Sequence, residues 1–170
     1  NSSDVYILGT VSDTSNSLEC LGDCDDLDVT LTVFSTSPGG ERLSRGPTRR
    51  LGSSGDDVST AVRVDASNKI AWVLGHTTGA LGRCASAFAC GGESDVFVAA
   101  VNASELSTVD ILRIGTDGAD YSASFAILSS TDETGSGTTM LPTVILAGWS
   151  SSASVFGRCE SLFDGRVDHS

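Results

Sequence analysis

Residues 50–57 read RLGSSGDD and residues 113–120 read RIGTDGAD, so the two stretches follow one pattern. The pattern is Arg, an apolar residue, Gly, two residues, Gly, one residue and Asp, and it returns after 63 residues. Self-similarity over such a distance is the signature of a repeated structural unit. We therefore expect two similar units in this chain.

Three other motifs repeat in a consistent order. They are a Gly-Arg-Cys loop, an Asp followed by a β-branched strand, and an apolar run that carries a Gly. The Gly-Arg-Cys loop lies at 82–88 and 157–163, and the Asp with its strand lies at 28–33 and 95–101. The apolar run with Gly occurs three times, at 6–10, 72–76 and 145–149. One unit then contains four short antiparallel strands, with the Gly-rich turn in the middle and a Cys loop at the end.

Val, Ile, Phe, Tyr and Trp dominate the segments between the turns, and no stretch keeps the spacing of an amphipathic helix. We therefore predict an all-β fold with almost no helix. The stretch 41–50 is expected to be an irregular Arg-rich connection and 131–141 a surface loop. The predicted strands are 5–9, 28–34, 58–64, 70–76, 95–101, 109–114, 121–128 and 143–149.

The whole chain, residues 1–170, is predicted to be a single β-repeat region. Its units span about 5–77 and 78–150, and a trailing Cys loop follows at 151–170. In the repeated turn, we expect the glycines to adopt positive φ and each final Asp to accept hydrogen bonds from the amides of the next strand. This is a structural role, and the residues concerned are Gly52, Gly55, Asp57, Gly115, Gly118 and Asp120.

The charge balance excludes one class of partner. The chain has 22 acidic residues against 10 basic ones, which gives a net charge of −12, and this charge repels a phosphate backbone. No apolar run reaches the roughly 18 residues that a membrane-spanning helix needs. We therefore expect neither nucleic acid binding nor membrane insertion.

The cysteines indicate the compartment. Cys20 and Cys24 form one close pair in the sequence, and Cys84 and Cys90 form another. Such pairs suit small disulfide loops in an oxidising environment, so we predict an extracellular or cell-surface protein. Cys159 lies at the repeat position of Cys84 and has no local partner. It forms an intermolecular disulfide, pairs with a cysteine in a continuation of the chain, or remains a free thiol.

Other candidate sites are weaker. Asn1 and Asn102 begin Asn-x-Ser sequons and are glycosylation candidates on a eukaryotic secretory route. An acidic cluster supplies oxygen ligands that would suit calcium but lacks the Gly and distal Glu of an EF-hand loop, so a solvated acidic turn is the simpler interpretation. Its residues are Asp23, Asp25, Asp26 and Asp28.

The sequence offers little for catalysis. His76 and His169 are the two histidines, and there is no Gly-x-Ser-x-Gly elbow, His-x-x-x-His motif or phosphate loop. Two histidines also leave the cysteines short of ligands for a zinc site of ordinary spacing. We predict a protein that is not an enzyme and has no cofactor, with calcium as the one possible exception.

The motifs resemble the seven-bladed β-propeller repeats of many bacterial and some algal surface proteins. The resemblance rests on DVFV at 95–98, the Gly-rich turn at 52–57, VRVD at 62–65 and WVLG at 72–75, and it covers about residues 28–150. It implies two propeller-blade-like four-stranded units. The units here are longer, carry Cys loops and are too few for a ring, which needs at least about four blades.

Two such units have three ways to bury their faces: within a larger ring, against each other as a β-sandwich, or against copies of the chain. We expect a non-catalytic structural module that assembles with copies of itself or with further repeats of a longer chain into a fibre or coat. An alternative is a glycan- or calcium-binding propeller domain that uses Trp72, Trp149 and Tyr121. A second alternative is a propeller-type hydrolase or lyase.

Overall fold

The computed structural model describes residues 4–12, 26–37, 42–85, 90–128 and 143–152. These residues form β-strands and no helix, so the predicted all-β fold is confirmed for them. Within these ranges, nothing helical is long and apolar enough to cross a membrane. The strands are β1 (Asp4–Ser12), β2 (Leu27–Thr36), β3 (Leu43–Leu51), β4 (Asp57–Asp65), β5 (Ile70–Thr77), β6 (Arg83–Cys84), β7 (Asp95–Asn102), β8 (Thr108–Ile114), β9 (Asp120–Leu128) and β10 (Thr143–Ser150).

Strand β3 lies where the sequence suggested an irregular connection, and that prediction was wrong. Gly46 and Pro47 are poor strand residues, and they fall at a β-bulge, where the pairing register shifts between Thr32 and Phe34 of β2. Strand β3 is also an edge of its sheet. Because Pro47 has no N–H to donate, it is tolerated at an edge and at a bulge but not in a central strand.

The described strands form three sheets. Sheet 1 has the order β1-β2-β3, sheet 2 the order β4-β5-β7-β8-β6, and sheet 3 the order β10-β9. Neighbouring strands pair antiparallel, except that the short β6 pairs parallel with β8. Strands β4, β5, β7 and β8 therefore form a complete four-stranded meander.

These sheets do not coincide with the units seen in the sequence. We predicted that the strands between residues 95 and 149 form one four-stranded antiparallel unit, but β7 and β8 belong to sheet 2 while β9 and β10 form sheet 3. The Gly-rich turn leads from one sheet to the next in both copies, between β3 and β4 and between β8 and β9. Strands β5 and β7, on opposite sides of the predicted boundary at residues 77 and 78, pair over their whole length.

The repeat relates strands in different sheets. Strand β2 corresponds to β7, β3 to β8 and β4 to β9, whereas β1, β5 and β10 all correspond to one another. We call residues at the same repeat position counterparts, and Gly9, Gly75 and Gly148 are one such set. Sheet 1 therefore matches β5-β7-β8, and sheet 3 matches β4-β5.

Sheet 2 is the middle layer and is covered on both faces. Ala71 and Val73 of β5 pack in a core shared with sheet 1, whereas Trp72 and Leu74 pack in a second core shared with sheet 3. Phe125 of β9 is buried in that second core. Burial on both faces explains why β5 and β7 read as nearly continuous apolar runs instead of alternating with polar residues.

Candidate functional site

The first copy of the repeated turn holds a buried network of carboxylates. Arg50 of β3 is ion-paired with Asp28 of β2, with its Nη2 2.6 Å and its Nε 2.7 Å from Asp28 Oδ2, and both side chains are fully buried. Asp57 of β4 accepts hydrogen bonds from the backbone N–H and the hydroxyl of Ser53, at 2.6 and 2.9 Å. Both sets of contacts lie at the turn that leads from sheet 1 to sheet 2.

The second copy repeats these contacts. Arg113 Nη1 lies 3.4 Å from Asp95 Oδ2, and the same nitrogen donates a hydrogen bond to the carbonyl oxygen of Gly79 at 2.9 Å. Asp120 accepts hydrogen bonds from the N–H and the hydroxyl of Thr116, at 2.6 and 2.9 Å. The predicted structural role of the turn aspartates therefore has a direct geometric basis in both copies.

Burial raises the pKa of three carboxyl groups in these networks, namely Asp28, Asp57 and Asp95. The Arg partner opposes the rise for Asp28 and for Asp95, and the hydrogen bonds from Thr77 and Ser53 oppose it for Asp57. The three side chains are almost completely shielded from solvent. They are internal structural groups and are not open to a substrate.

The glycines of the turn allow close approach of neighbouring groups. A Cβ added to Gly52 would overlap the carboxylate of Asp28, and one added to Gly115 would overlap that of Asp95. Each glycine therefore lets a carboxylate pack directly against the backbone of the turn. Gly55 is likewise crowded by the hydroxyl of Thr78 and the backbone of Gly79.

Two details predicted for the turn were wrong. Among the described glycines, positive φ occurs at Gly82 and Gly91 and not at the turn glycines, Gly118 included. The turn aspartates also accept hydrogen bonds from the residue four positions earlier, within the same turn, and not from amides of the strand that follows. The turn is closed by its own Asp, which leaves its glycines in ordinary backbone conformations.

Sequence reasoning missed the pairing of Asp28 with Arg50. A signal for it was present, because both residues have counterparts, Asp95 and Arg113, in the second unit. Two oppositely charged residues that repeat together indicate an ion pair that the fold uses twice.

His76 does not form a catalytic triad with any residue that the structure describes. Its Nδ1 is buried and has no hydrogen-bond partner among those residues, whereas a Ser-His-Asp arrangement needs a carboxylate there. Burial lowers the pKa of His76, so the imidazole is neutral at pH 7. No group of three or more metal-ligating side chains occurs within the described ranges.

A ladder of three rings crosses from sheet 2 to sheet 3. The ring of Tyr121 meets His76 edge-on with centroids 4.9 Å apart, and it stacks on Trp149 at 4.4 Å with an angle of 23° between the planes. The hydroxyls of Thr60 in sheet 2 and Ser122 in sheet 3 lie 2.7 Å apart and also connect these two sheets. Trp149 is 58% exposed, so the ladder ends in an aromatic face open to solvent.

The outer faces of sheets 1 and 3 also carry exposed apolar side chains. Val5 and Ile7 project from β1, and Ile145 projects from β10 next to Ala126 of β9. By the repeat, Ile7 is the counterpart of Val73, which is fully buried against sheet 1. Positions that are buried in the middle sheet are therefore exposed to water in the outer sheets.

Of the predicted cysteine pairs, one lies within the described residues. Cys84 and Cys90 form a disulfide with Cα atoms 5.8 Å apart, which confirms this pair. Cys20, Cys24 and Cys159 lie outside the described residues, as does the sequon at Asn1.

Asn102 ends β7, and its side-chain oxygen accepts hydrogen bonds from the N–H groups of Ser104 and Glu105, at 2.9 and 3.1 Å. Its glycosylation stays a prediction. In the acidic cluster, Asp28 is the buried partner of Arg50 and Asp26 is exposed, so the two do not share a solvated turn. Asp23 and Asp25 lie outside the described ranges.

No protein-family model, curated protein or solved structure matches this chain.

Proposed function

We propose that this chain is a non-catalytic structural module of a secreted or cell-surface protein. It associates through its outer sheets with copies of itself, or with further repeats of a longer chain, and the assembly is an extracellular fibre or coat. The Cys84–Cys90 disulfide supports an oxidising compartment. The paired turn networks support a role in rigid architecture, because they brace the turns that connect one sheet with the next.

The observation that carries the proposal is the contrast between counterparts. Ile7 is 51% exposed while Val73 is fully buried, and Ile145 is 50% exposed while its counterpart Trp72 is 5% exposed. In sheet 2 these positions are covered because a neighbouring sheet packs on each face. Apolar faces left in water are association sites, so a further sheet of the same kind is the natural partner.

The two outer faces differ from each other, so contact between copies is head to tail. Such a contact either closes into a ring or continues as a filament. Sedimentation velocity and electron microscopy of the intact protein test this directly. We expect species larger than the monomer that grow with concentration, and a protein that remains monomeric throughout contradicts the proposal.

Variants identify the surfaces involved. We expect Phe34→Lys, on the outer face of β2, and Ile145→Lys, on β10, to weaken assembly, because each places a charge on a face that assembly buries. Val109→Lys is the matched control, since Val109 is 60% exposed but lies on β8 of the middle sheet. Equal loss of assembly in all three variants would contradict the assignment to the outer faces.

A second candidate function is glycan binding, favoured by the stacked rings of Tyr121 and Trp149. An exposed aromatic face offers the apolar surface on which a sugar ring can stack. Glycan-array binding tests it, with loss of binding in Trp149→Ala and retention in Trp149→Phe as the expected result. Equal binding by wild type and Trp149→Ala would refute it.

A further inference from the structure

We infer that β10 of one copy replaces β1 of a second copy, so that exchanged strands join neighbouring molecules. This inference rests on the proposed self-association and names the strands that carry it. It differs from simple stacking of intact sheets, because one sheet is then shared by two copies.

Strand β1 occupies on β2 the place that β5 occupies on β7. Gly9 lies opposite Thr30 in sheet 1, and Gly75 lies opposite Phe97 in sheet 2. Thr30 and Phe97 are counterparts, each being two residues after the Asp that opens the motif. The antiparallel register is therefore the same in the two sheets, and neither pairing contains a bulge.

Strand β10 is the third member of this set. It is a counterpart of β1 and β5, and Gly148 matches Gly9 and Gly75. In the described part of the chain, β10 pairs with β9 on one edge, as β5 pairs with β4. The other edge of β5 is filled by β7, and the counterpart of β7 is β2. The open edge of β10 therefore fits β2 of another copy.

The exchange would build a sheet with the order β9-β10-β2-β3, in which β9 and β10 come from one copy and β2 and β3 from the next. This order reproduces β4-β5-β7-β8 of sheet 2. In that register Gly148 lies opposite Thr30, and Ile145 takes the place of Tyr6 opposite Val33. One composite sheet then serves as sheet 3 of the first copy and sheet 1 of the second.

Burial favours the exchanged arrangement. No residue of β1 is buried, whereas β5, its counterpart, is buried at six of its eight positions. Tyr6 and Leu8 pack toward sheet 2, and in the composite sheet Ile145 and Ala147 move from solvent into these positions. The outer face of β2, which includes Phe34, becomes covered by sheet 2 of the first copy.

Release of β1 has a cost that keeps the monomer intact until copies meet. The Tyr6 hydroxyl donates a hydrogen bond to the carbonyl oxygen of Ala103 at 3.0 Å, and the hydroxyls of Thr10 and Ser59 lie 3.1 Å apart. These contacts and the β1–β2 pairing must break first. Because β10 of one copy takes the place of β1 on β2 of another copy, the exchange is a strand addition between molecules and depends on protein concentration.

A disulfide that locks β1 onto β2 tests the exchange. Ile7 and Thr32 are cross-strand partners, so Ile7→Cys with Thr32→Cys ties the two strands. The matched control ties β2 to β3 through Thr32→Cys with Thr48→Cys, also cross-strand partners. Assembly of both oxidised variants and of the wild type is followed by sedimentation velocity.

We expect the β1-locked variant to remain monomeric while the control and the wild type assemble. Reduction of the lock should restore assembly, and wild type treated alike accounts for reduction of its own disulfide. If the β1-locked variant assembles as the wild type does, the exchange is refuted and face-to-face stacking is the mode of association. If the wild type does not assemble at all, the proposed function fails and the exchange fails with it.

Discussion

Replacement of Arg50 by Met removes one partner from an ion pair whose two side chains are fully buried. The Arg50 Nη2 and Nε atoms, 2.6 and 2.7 Å from Asp28 Oδ2, are then absent, and the carboxylate of Asp28 remains in the interior. Breaking a buried pair in this way costs about 3–5 kcal/mol of the free energy of unfolding, mainly because the buried carboxylate loses the guanidinium that compensates its charge.

The cost should depend on pH, with a definite sign. Burial already raises the pKa of Asp28, and Arg50 opposes that rise, so loss of Arg50 raises the folded-state pKa further. A carboxyl whose folded pKa lies above its unfolded value stabilises the fold below the unfolded pKa, and this contribution is lost as pH rises through the folded pKa. The deficit of Arg50→Met relative to wild type is therefore largest at neutral pH and shrinks in acid.

Denaturant unfolding at neutral and acidic pH measures this deficit. Arg83→Met is the matched control, because Arg83 forms an ion pair with Asp110 at 2.8 Å whose side chains are 62% and 39% exposed. We expect that substitution to cost about 0–1 kcal/mol. Adding Asp28→Asn to Arg50→Met should recover part of the loss. The reasoning is refuted if Arg50→Met is no more costly than Arg83→Met, or if its deficit does not shrink in acid.

Further predictions concern the turns, the disulfide and pH. Gly52→Ala should destabilise the fold by about 1–3 kcal/mol in denaturant unfolding because its methyl group overlaps a buried carboxylate, while the exposed Ser54→Ala in the same turn should stay within about 0.5 kcal/mol of wild type. Cys84→Ser opens the small disulfide loop and should cost about 2 kcal/mol, measured against wild type under non-reducing conditions. Burial raises the pKa of Asp57 and Asp95, so these carboxyl groups bind protons more tightly in the folded state than in the unfolded state. The melting temperature should therefore rise as pH falls from 7 toward the unfolded pKa of about 4. A maximum of the melting temperature at neutral pH would contradict this.

Most strands could be predicted from the sequence because β-branched and aromatic residues cluster between turns. Strand β3 could not, since its Gly46 and Pro47 are poor strand residues whose place at an edge bulge depends on the partner strand. The counterpart relation offered a correction, because Arg50 aligns with Arg113 in a segment that was predicted to be a strand.

The division of the strands into sheets could not be predicted from the repeat pattern, for a different reason. A repeat fixes the distance between equivalent residues but not the connection at which one sheet ends. The connection that changes sheets is the Gly-rich turn, where Gly52 and Gly115 each admit a carboxylate from the preceding sheet's own Asp. The local pattern suggested that these glycines are needed for a positive φ. They are needed instead for the close approach of Asp28 or Asp95, which the local pattern does not reveal because these residues are far away in the sequence.

Of the candidate site, the turn aspartates could be identified from the sequence and their chemistry could not. The repeat singled out Asp57 and Asp120, whose donors lie four residues earlier in the same turn, but the ion pairs beside them join residues that are far apart in the sequence. The sequence named Trp72, Tyr121 and Trp149 as ligand contacts, but Trp72 is buried in the core shared with sheet 3, and ligand binding by the other two stays a prediction. The edge-on contact of Tyr121 with His76 spans two sheets and therefore has no local sequence signal.

The two-sided burial of sheet 2 constrains how this sequence can change in length. Neighbouring residues of β5, such as Trp72 and Val73, belong to different cores. An inserted or deleted residue would turn the side chains that follow it to the opposite face of the sheet and so disrupt the packing of both cores. The same event in β1 would disturb a single core, because its other face is open. Insertions and deletions among descendants of this sequence should therefore accumulate in the connections and the outer strands, and the length of β5 should stay fixed.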